Sequence, residues 1–375
     1  MTTLSGLYIH VPFCASRCIY CGFYSTTQLA MRERYVQALC QEMDILTYKP
    51  NISTIYLGGG TPSQLTQDQL THIFDHIYNN VYSVENDAEI TMECNPDDIR
   101  RGMFNGLPVN RVSMGAQTFS DERLRFLHRR HMAKDVDKAV DTLRRDGINN
   151  ISIDLMFGFP GETLDDWKED IRHAISICPE HISAYSLMYE EGTSLHKLLK
   201  QGKVKEADEE LIVTMYSTLI DMLTAAGYEH YEISNFARTD GNANSKWRSR
   251  HNSSYWHDMP YIGLGAGAHS YYNGKRHWNP DSITKYISEI ENGHLPYEEE
   301  IIDASTHYND IITTALRTRE GVDLTRLSNH HKTFLLRNAE TYIRQGLLIL
   351  SEDHLSLSRN GINISNMIMS DLMEV

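Results

Sequence analysis

Long apolar runs, a secretory leader and an excess of basic charge are all missing from this chain of 375 residues. No stretch approaches the ~18 consecutive apolar residues that a transmembrane helix needs. Residues 1–10 have neither a basic nor an apolar leader region, so we expect no secretion and a cytoplasmic location. Lys and Arg number 35 against 50 Asp and Glu, and the resulting charge of −15 argues against a nucleic-acid partner.

Cysteine is also scarce, and its distribution is uneven. Three of the six cysteines, Cys14, Cys18 and Cys21, fall on one short segment with the spacing C-x3-C-x2-C. In a chain without a leader this spacing indicates a metal or a cluster in a reducing compartment rather than disulfides. Three thiolates on a loop can hold three irons of a [4Fe–4S] cluster and leave the fourth iron open. The alternative is a zinc site, which would need a fourth ligand such as His10.

The first half of the chain alternates short β-branched runs with amphipathic helical patterns. Six strands are predicted, at residues 7–13, 52–57, 89–93, 111–114, 151–157 and 182–187. Helices are predicted at residues 31–49, 67–78, 134–145, 164–177 and 208–226. The alternation favours an α/β fold with a parallel sheet, which forms an open, partial (β/α)6 barrel whose binding residues follow the strands. The remaining cysteines are expected to be structural, within these elements: Cys40, Cys94 and Cys178.

The predicted organisation has three parts. The partial barrel covers residues 1–230, a connecting segment covers 231–300, and a helical domain covers 301–375. Near the end, the apolar runs 347–350 and 354–357 flank a polar turn and predict a hairpin. Helices followed by a hairpin indicate a winged-helix-like domain. Because the chain is acidic, a structural or lid role is favoured over DNA binding.

Polar residues and glycines follow successive predicted strands. The run G-G-G-T-P-S at residues 58–63 lacks the Lys-Ser/Thr ending of a Walker loop, so a nucleoside triphosphate is not expected there. Glu93 ends the third strand, Gln117 ends the fourth, and Asp154 lies on the fifth. Any one of them is as often a cap as a ligand group. Their recurrence at successive strand ends predicts one ligand site at this edge of the sheet.

The cysteine spacing resembles that of the radical S-adenosylmethionine (SAM) superfamily. In that family SAM chelates the open iron, and one electron from the cluster cleaves it to a 5′-deoxyadenosyl radical. Further stretches are similar to the oxygen-independent coproporphyrinogen III oxidase group, at residues 8–14, 58–63, 111–117, 154–162 and 316–322. The resemblance therefore extends over most of the chain.

The resemblance implies a role for each matching residue. Cys14, Cys18 and Cys21 would hold the cluster, Tyr8 would approach the methionyl end of SAM, and Tyr20 would flank its adenine. The other implied contacts are Gly59, Gly60 and Thr61 along the amino-acid portion, Glu93 and Arg129 at its amino and carboxylate ends, Gln117 and Asp154 at the ribose hydroxyls, and Met156 near adenine.

Two departures narrow the resemblance. The oxidases carry a fourth cysteine two places after the third, where this chain has Phe23, and a longer extension than the 13 residues before Cys14. Both features resemble the heme chaperone (HemW-like) branch of the group, and so does the motif H-N-x-x-Y-W at residues 251–256.

The motif implies that His251 binds heme, since a neutral imidazole can ligate heme iron. The alternative is a hydrogen-bonded histidine at a domain junction, with Tyr255 and Trp256 packing the interface. His10 and His269 are further candidates for an axial ligand.

The expected function is therefore to bind heme and hand it to an acceptor protein, for which the family suggests respiratory or other heme enzymes at a membrane. One alternative is a true oxidase that decarboxylates coproporphyrinogen III propionates by hydrogen abstraction, although the Phe23 departure favours a protein without that activity. Another is a zinc-stabilised interaction protein. A monomer or weak dimer is expected.

Overall fold

The computed structural model describes residues 4–242 and 244–374. Its strands, in chain order, are β1 (Leu4–Val11), β2 (Asn51–Gly59), β3 (Ser83–Cys94), β4 (Arg111–Gln117), β5 (Asn150–Phe157), β6 (His181–Ser186), β7 (Tyr228–Glu232), β8 (Asn235–Arg238), β9 (Tyr261–Leu264), β10 (His269–Tyr272), β11 (Lys275–Trp278), β12 (Glu298–Ile301), β13 (Val322–Asp323), β14 (Leu348–Ser351) and β15 (His354–Leu357). Its helices are α1 (Arg32–Ile45), α2 (Gln67–His76), α3 (Asp121–Phe126), α4 (Ala133–Arg145), α5 (Leu164–Ile177), α6 (Ser194–Lys200), α7 (Glu209–Ala225), α8 (Arg250–Trp256), α9 (Ile283–Glu291), α10 (Ala304–Ala315), α11 (Asn329–Arg344), α12 (Arg359–Ile362) and α13 (Ser365–Leu372).

The six predicted strands form the parallel centre of the structure. β1 to β6 pair in sequence order, each parallel to the next, and they lie within a 12-stranded sheet of order β12-β11-β10-β9-β1-β2-β3-β4-β5-β6-β8-β7. The predicted partial (β/α)6 barrel is confirmed. Parallel order brings the carboxyl ends of these strands to one edge, which is where the site lies.

Amphipathic helices cover the sheet for the reason that their sequences predict. In α4 the buried side chains are Val136, Ala139, Val140 and Leu143, a spacing that places them on one face. The helix predicted at residues 31–49 ends earlier, at Ile45. Lys49 precedes Pro50, and a residue before proline is disfavoured in the helical region. The helix predicted at 67–78 ends at His76 and passes into a π-helical turn.

Residues 231–300, expected to connect two domains, instead extend the sheet at both edges. β7 and β8 form an antiparallel hairpin beside β6. β9 pairs in parallel with β1, and β10 to β12 continue outward from it. Runs of four or five residues are too short for their alternation to be read from the sequence, which is why these strands were not predicted.

Cys178 corrects another expectation. It lies one residue beyond α5, in a left-handed conformation with φ +54°, and it is exposed, whereas Cys40 and Cys94 are buried as expected.

The C-terminal part has a core of its own around Tyr308, Leu335 and Ile368. β13, β15 and β14 form a small antiparallel sheet, with the predicted hairpin between β14 and β15. This part contacts the barrel through α10 and α8, and the Arg317 guanidinium lies over the Trp256 ring at 5.0 Å. Every helix in the described ranges is too short or too polar to cross a bilayer.

Candidate functional site

The carboxyl ends of the parallel strands open into a cavity of about 660 Å³. We call it the cysteine cavity and define it by Cys14, Cys18, Cys21, Glu93 and Asp154, all of which line it. It also contains further residues that the sequence singled out: Tyr20, Gly59, Gly60, Thr61, Gln117, Arg129 and Met156.

The loop that carries the three cysteines is fixed from both sides. The Cys14 amide donates to the Thr26 carbonyl at 2.9 Å, and Ile19, 5% exposed, packs under the loop. The Ile19 amide donates to the Leu127 carbonyl, and its own carbonyl accepts from the Leu195 amide. These contacts leave the half-buried thiols at the cavity wall.

The spacing of the sulfur atoms bears on the choice between zinc and a cluster. Ligands on one zinc ion can be at most ~4.6 Å apart, because each Zn–S bond is ~2.3 Å. Cys14, Cys18 and Cys21 do not form a group of ligand atoms within 4.8 Å of one another. His10 does not complete a zinc set either, because both of its ring nitrogens are hydrogen-bonded, to the Tyr8 hydroxyl and the Tyr24 carbonyl at 3.0 Å each. The loop therefore fits a larger cluster better than a single ion.

The glycine run after β2 is required by close packing against the loop after β1. A Cβ on Gly59, whose φ is +103°, would lie 2.4 Å from the His10 ring, and one on Gly60 would lie 2.7 Å from the Pro12 carbonyl carbon. The Thr61 amide donates to the Phe13 carbonyl, and its hydroxyl lies 3.6 Å from the Cys14 sulfur. This packing aligns the glycine run with the cysteine loop.

Glu93 and Asp154 are among the carboxyl groups of the cavity that have raised pKa values. Burial raises the pKa of Glu93 to about 7, the hydrogen bond from the Tyr56 hydroxyl opposes the shift, and the charge of Asp154 adds to it. Burial also raises the pKa of Asp154 to about 6, against a hydrogen bond from Ser183. A cationic group entering the cavity would favour the ionised form of both carboxyls.

Gln117 adopts a conformation that is rare for its residue type. Its φ is +67°, and the pairing of β4 with β5 shifts register there. Such backbone strain costs ~1–3 kcal/mol and persists where surrounding structure or function requires it. A Cβ on Gly115 would lie 2.6 Å from the Gln117 amide nitrogen. The side-chain amide of Gln117 has no hydrogen bond to another described residue, so it is available to a ligand.

Arg129 joins the cysteine loop to the strand ends. Its guanidinium donates to the Cys18 sulfur at 3.5 Å, to Asn95 Oδ1 at 2.7 Å and to the Gly115 carbonyl at 2.7 Å. Its Nε is buried without a partner among the described residues. A buried cation with an unused donor fits a ligand carboxylate.

The donor set of the cysteine cavity thus fits both a cluster and SAM. The thiols of Cys14, Cys18 and Cys21, the free Nε of Arg129, the carboxyls of Glu93 and Asp154 and the amide of Gln117 match the iron-binding, carboxylate, amine and hydroxyl requirements of these groups.

Sequence reasoning missed several residues of this cavity. Arg111, only 1% exposed, lines it together with Ser113, Asn95 and Ser183. Arg111, Ser113 and Gly115 alternate along β4 and so share one face. Polar residues at this two-residue spacing in a parallel strand were the signal that could have found them.

Tyr8 and His251 lie outside the cysteine cavity. The Tyr8 ring lines a second cavity of about 540 Å³, which we call the aromatic cavity and define by Phe23, Tyr255, Trp256, Tyr261 and Tyr271. It lies between α8, β9, β10 and α10.

His251 is buried and has both ring nitrogens engaged. Nδ1 is hydrogen-bonded to the Thr54 hydroxyl and Nε2 to the Tyr255 hydroxyl, each at 2.8 Å, and the ring is 1% exposed. Burial, with a contribution from Arg111, lowers the pKa of His251 to about 3, so the ring is neutral. This geometry matches the hydrogen-bonded alternative, and a direct role in heme binding stays a prediction.

The chain is similar in sequence to known proteins over most of its length. The Radical SAM superfamily profile matches residues 8–174, and that of the HemN C-terminal domain matches residues 302–364. The chain is 34% identical to the heme chaperone HemW of Bacillus subtilis over 376 residues, or 97% of each protein. It is 33% identical to the heme chaperone HemW of Synechocystis, over 88% of this chain and 82% of that protein.

A solved structure supports the fold. Coproporphyrinogen III oxidase (HemN) from Escherichia coli, described as a radical SAM enzyme, aligns with a TM-score of 0.83 over 99% of this chain and 90% of its own. Its identity is 20%, so this likeness concerns the fold alone. Because the two HemW relatives are more than 30% identical to it over most of its length, the chain belongs to the radical SAM superfamily and, within it, to the HemW family.

Proposed function

We propose that this protein is a heme chaperone that binds a [4Fe–4S] cluster through Cys14, Cys18 and Cys21, binds SAM beside it, and binds heme for transfer to an acceptor protein. The proposal is carried by one observation. Relatives that match most of the chain are called heme chaperones, and in this chain three thiols line a single cavity together with Glu93, Gln117 and Asp154.

Each group in the cysteine cavity has a role in this proposal. A cluster with SAM bound would supply one-electron chemistry. Arg129 would hold the SAM carboxylate with its free Nε, and Glu93 would accept from the amino group. The Asp154 carboxylate would accept from the ribose hydroxyls, and the Gln117 amide would accept from them through its oxygen or donate to them through its nitrogen. The hydrogen bond from Arg129 to Cys18 would disperse negative charge on that sulfur.

The acceptor in this proposal is a heme enzyme, with respiratory enzymes at a membrane as the class suggested by the resemblance. Decarboxylation of coproporphyrinogen is not proposed, because Phe23 stands where the oxidases have a fourth cysteine. The likeness to HemN is a likeness of fold.

The test begins with anaerobic reconstitution of the full chain with iron and sulfide. We expect about four irons per chain, saturable SAM binding by calorimetry, and saturable hemin binding by absorption. Release of carbon dioxide from coproporphyrinogen at an enzymatic rate would overturn the chaperone assignment.

Transfer is tested by mixing the heme-loaded protein with a heme-free b-type cytochrome. Simple release would give one limiting rate at every saturating acceptor concentration. Direct transfer should instead accelerate with acceptor concentration, because the acceptor takes part in the step. A rate independent of acceptor concentration would contradict chaperone activity.

A further inference from the structure

Two histidines, His10 and His269, line the aromatic cavity, and they differ in burial and in hydrogen bonding. His10 has both ring nitrogens hydrogen-bonded. His269 is exposed, and no hydrogen bond links its ring to another described residue. Burial of part of the ring and the nearby charge of Arg276 lower the pKa of His269, so the imidazole is neutral with a free lone pair at neutral pH.

Strand register places aromatic rings beside this imidazole. His269 and Tyr271 are two residues apart on β10 and so share a face. Tyr271 lies opposite Tyr261 on β9, and the Tyr255 ring packs edge-on against Tyr261 with centroids 4.6 Å apart. Phe23, with 71% of its surface exposed, borders the same cavity. A neutral imidazole therefore adjoins a continuous aromatic wall.

We propose that the aromatic cavity is the heme site and that His269 supplies an axial nitrogen to the heme iron. This inference rests on the proposed function and assigns its heme site to residues outside the cysteine cavity. Imidazole is an established axial ligand of heme iron, and aromatic rings pack against the flat face of a porphyrin. The cavity volume of about 540 Å³ is within the range of ~300–1,000 Å³ for small-molecule and cofactor sites.

The H-N-x-x-Y-W motif acquires a different role in this arrangement. Its Tyr255 and Trp256 line the aromatic cavity, while His251 lies behind them against β2. The hydrogen bond from His251 Nε2 to the Tyr255 hydroxyl fixes that ring. His251 is thus a positioning residue that acts through Tyr255, and His269 is the ligand.

The experiment compares hemin with metal-free protoporphyrin IX, which offers the same ring without an axial site. Both are titrated into the reconstituted full chain, hemin by absorption and protoporphyrin IX by fluorescence. His269→Ala should raise the hemin Kd at least ~10-fold. Removing a residue that only hydrogen-bonds a metal ligand already weakens metal binding by about that factor, and here the ligand itself is removed. The same variant should shift the hemin spectrum and leave protoporphyrin IX affinity within about two-fold, because the aromatic wall is intact.

Three further variants complete the comparison. His257→Ala removes an exposed histidine next to α8 that does not line the cavity, and it should leave both affinities and the spectrum unchanged. Imidazole added to His269→Gly should restore the spectrum of the parent protein. His251→Ala should lower affinity for both porphyrins equally, because it displaces the Tyr255 ring. His251→Gln should recover part of that affinity by restoring a hydrogen bond to Tyr255.

The outcomes separate this inference from the proposed function. If the parent protein binds no hemin, the proposed function fails. If the parent protein binds hemin, two results for His269→Ala would overturn its assignment as the ligand. One is an unchanged spectrum and hemin Kd, and the other is an equal loss of affinity for both porphyrins. Chaperone function would stand in either case. A spectral change on His251→Ala without any loss of protoporphyrin IX affinity would make His251 the ligand instead.

Discussion

The cysteine cavity and the aromatic cavity both border Phe23, yet they are built in different ways. The first collects thiols, carboxyls, amides and guanidinium groups from the ends of parallel strands that lie far apart in the sequence. The second is formed mainly by rings from one short helix and two short neighbouring strands. Parallel strands thus gather dispersed polar groups at one edge, whereas a short helix beside two short antiparallel strands groups aromatic rings along one cavity.

The largest expected effect comes from removing the three thiols of the cysteine cavity while the aromatic cavity is left intact. Replacing Cys14, Cys18 and Cys21 together with Ala should abolish iron loading, because the cluster would lose all its thiolates. Iron and sulfide are measured after anaerobic reconstitution, and protoporphyrin IX affinity is measured in the same preparation. The latter should be unchanged, because none of the three residues lines the aromatic cavity.

Cys178 provides the matched control, since it is exposed and its sulfur accepts from Arg238 Nη1 at 3.2 Å, away from the cavity. Cys178→Ser should load iron normally. A full iron complement in the triple variant would show that other ligands hold the cluster.

The next effect concerns SAM and is smaller. Asp154→Ala should weaken SAM binding by ~1.5–3 kcal/mol, the contribution of a hydrogen bond to a charged group. This corresponds to a rise in Kd of about 10- to 150-fold, measured by calorimetry on the reconstituted protein. Asp154→Asn keeps an acceptor for one hydroxyl and should lose less. Equal SAM affinity in all three proteins would remove Asp154 from the SAM site.

The same contrast explains how much the sequence could predict. Glu93, Gln117 and Asp154 were recognisable because each is a polar residue on or at the end of a predicted strand, and parallel order then brings them together. The aromatic cavity could not be predicted in this way. Two of its strands, β9 and β10, are each four residues long, which is too short for a strand pattern to be recognised in the sequence. The motif drew attention to His251, and only its two hydrogen bonds revealed that its nitrogens are already used.

Tyr8 illustrates the same limit. The resemblance implies a contact with SAM, and Tyr8 lies on the first strand, β1. In the structure its hydroxyl is hydrogen-bonded to His10, and Tyr8 lines the aromatic cavity as well as a smaller cavity that it shares with Gly59 and Glu93. Its contact with SAM stays a prediction. Which side of a strand faces which cavity depends on the neighbouring strand, here β9, which the sequence did not reveal.

A third prediction uses the buried His251 to link pH to stability. Its pKa of about 3 in the folded protein compares with ~6.5 in the unfolded chain. Between these values the unfolded state binds a proton that the folded state does not. The stability from neutral His251 is therefore fully present above pH ~6.5 and falls by ~1.4 kcal/mol for each pH unit below it, towards pH 3.

His251→Asn lacks this proton linkage, so its stability deficit relative to the parent protein should shrink as the pH falls. Between pH 6.5 and pH 5 the deficit should narrow by up to ~2 kcal/mol, measured by urea unfolding at several pH values. His257→Asn, at an exposed position, is the control for replacing a histidine. A deficit that is constant across this range would mean that His251 becomes protonated in the folded protein.

The smallest expected effect tests whether Phe23 belongs to both cavities. Because its side chain is largely exposed, Phe23→Ala should change the free energy of unfolding by no more than ~0.5 kcal/mol. An aromatic contact is worth ~0.5–1.5 kcal/mol, so affinity for hemin and for protoporphyrin IX should each fall by about 2- to 10-fold. The two losses should be equal, since Phe23 would contact the porphyrin ring and not the iron, in contrast to His269→Ala.

The porphyrin affinity of Phe23→Leu should fall between those of the parent protein and Phe23→Ala, because leucine keeps apolar bulk without the ring face. Unchanged porphyrin affinity in Phe23→Ala, at unchanged stability, would separate the two cavities and confine the heme site to α8, β9 and β10.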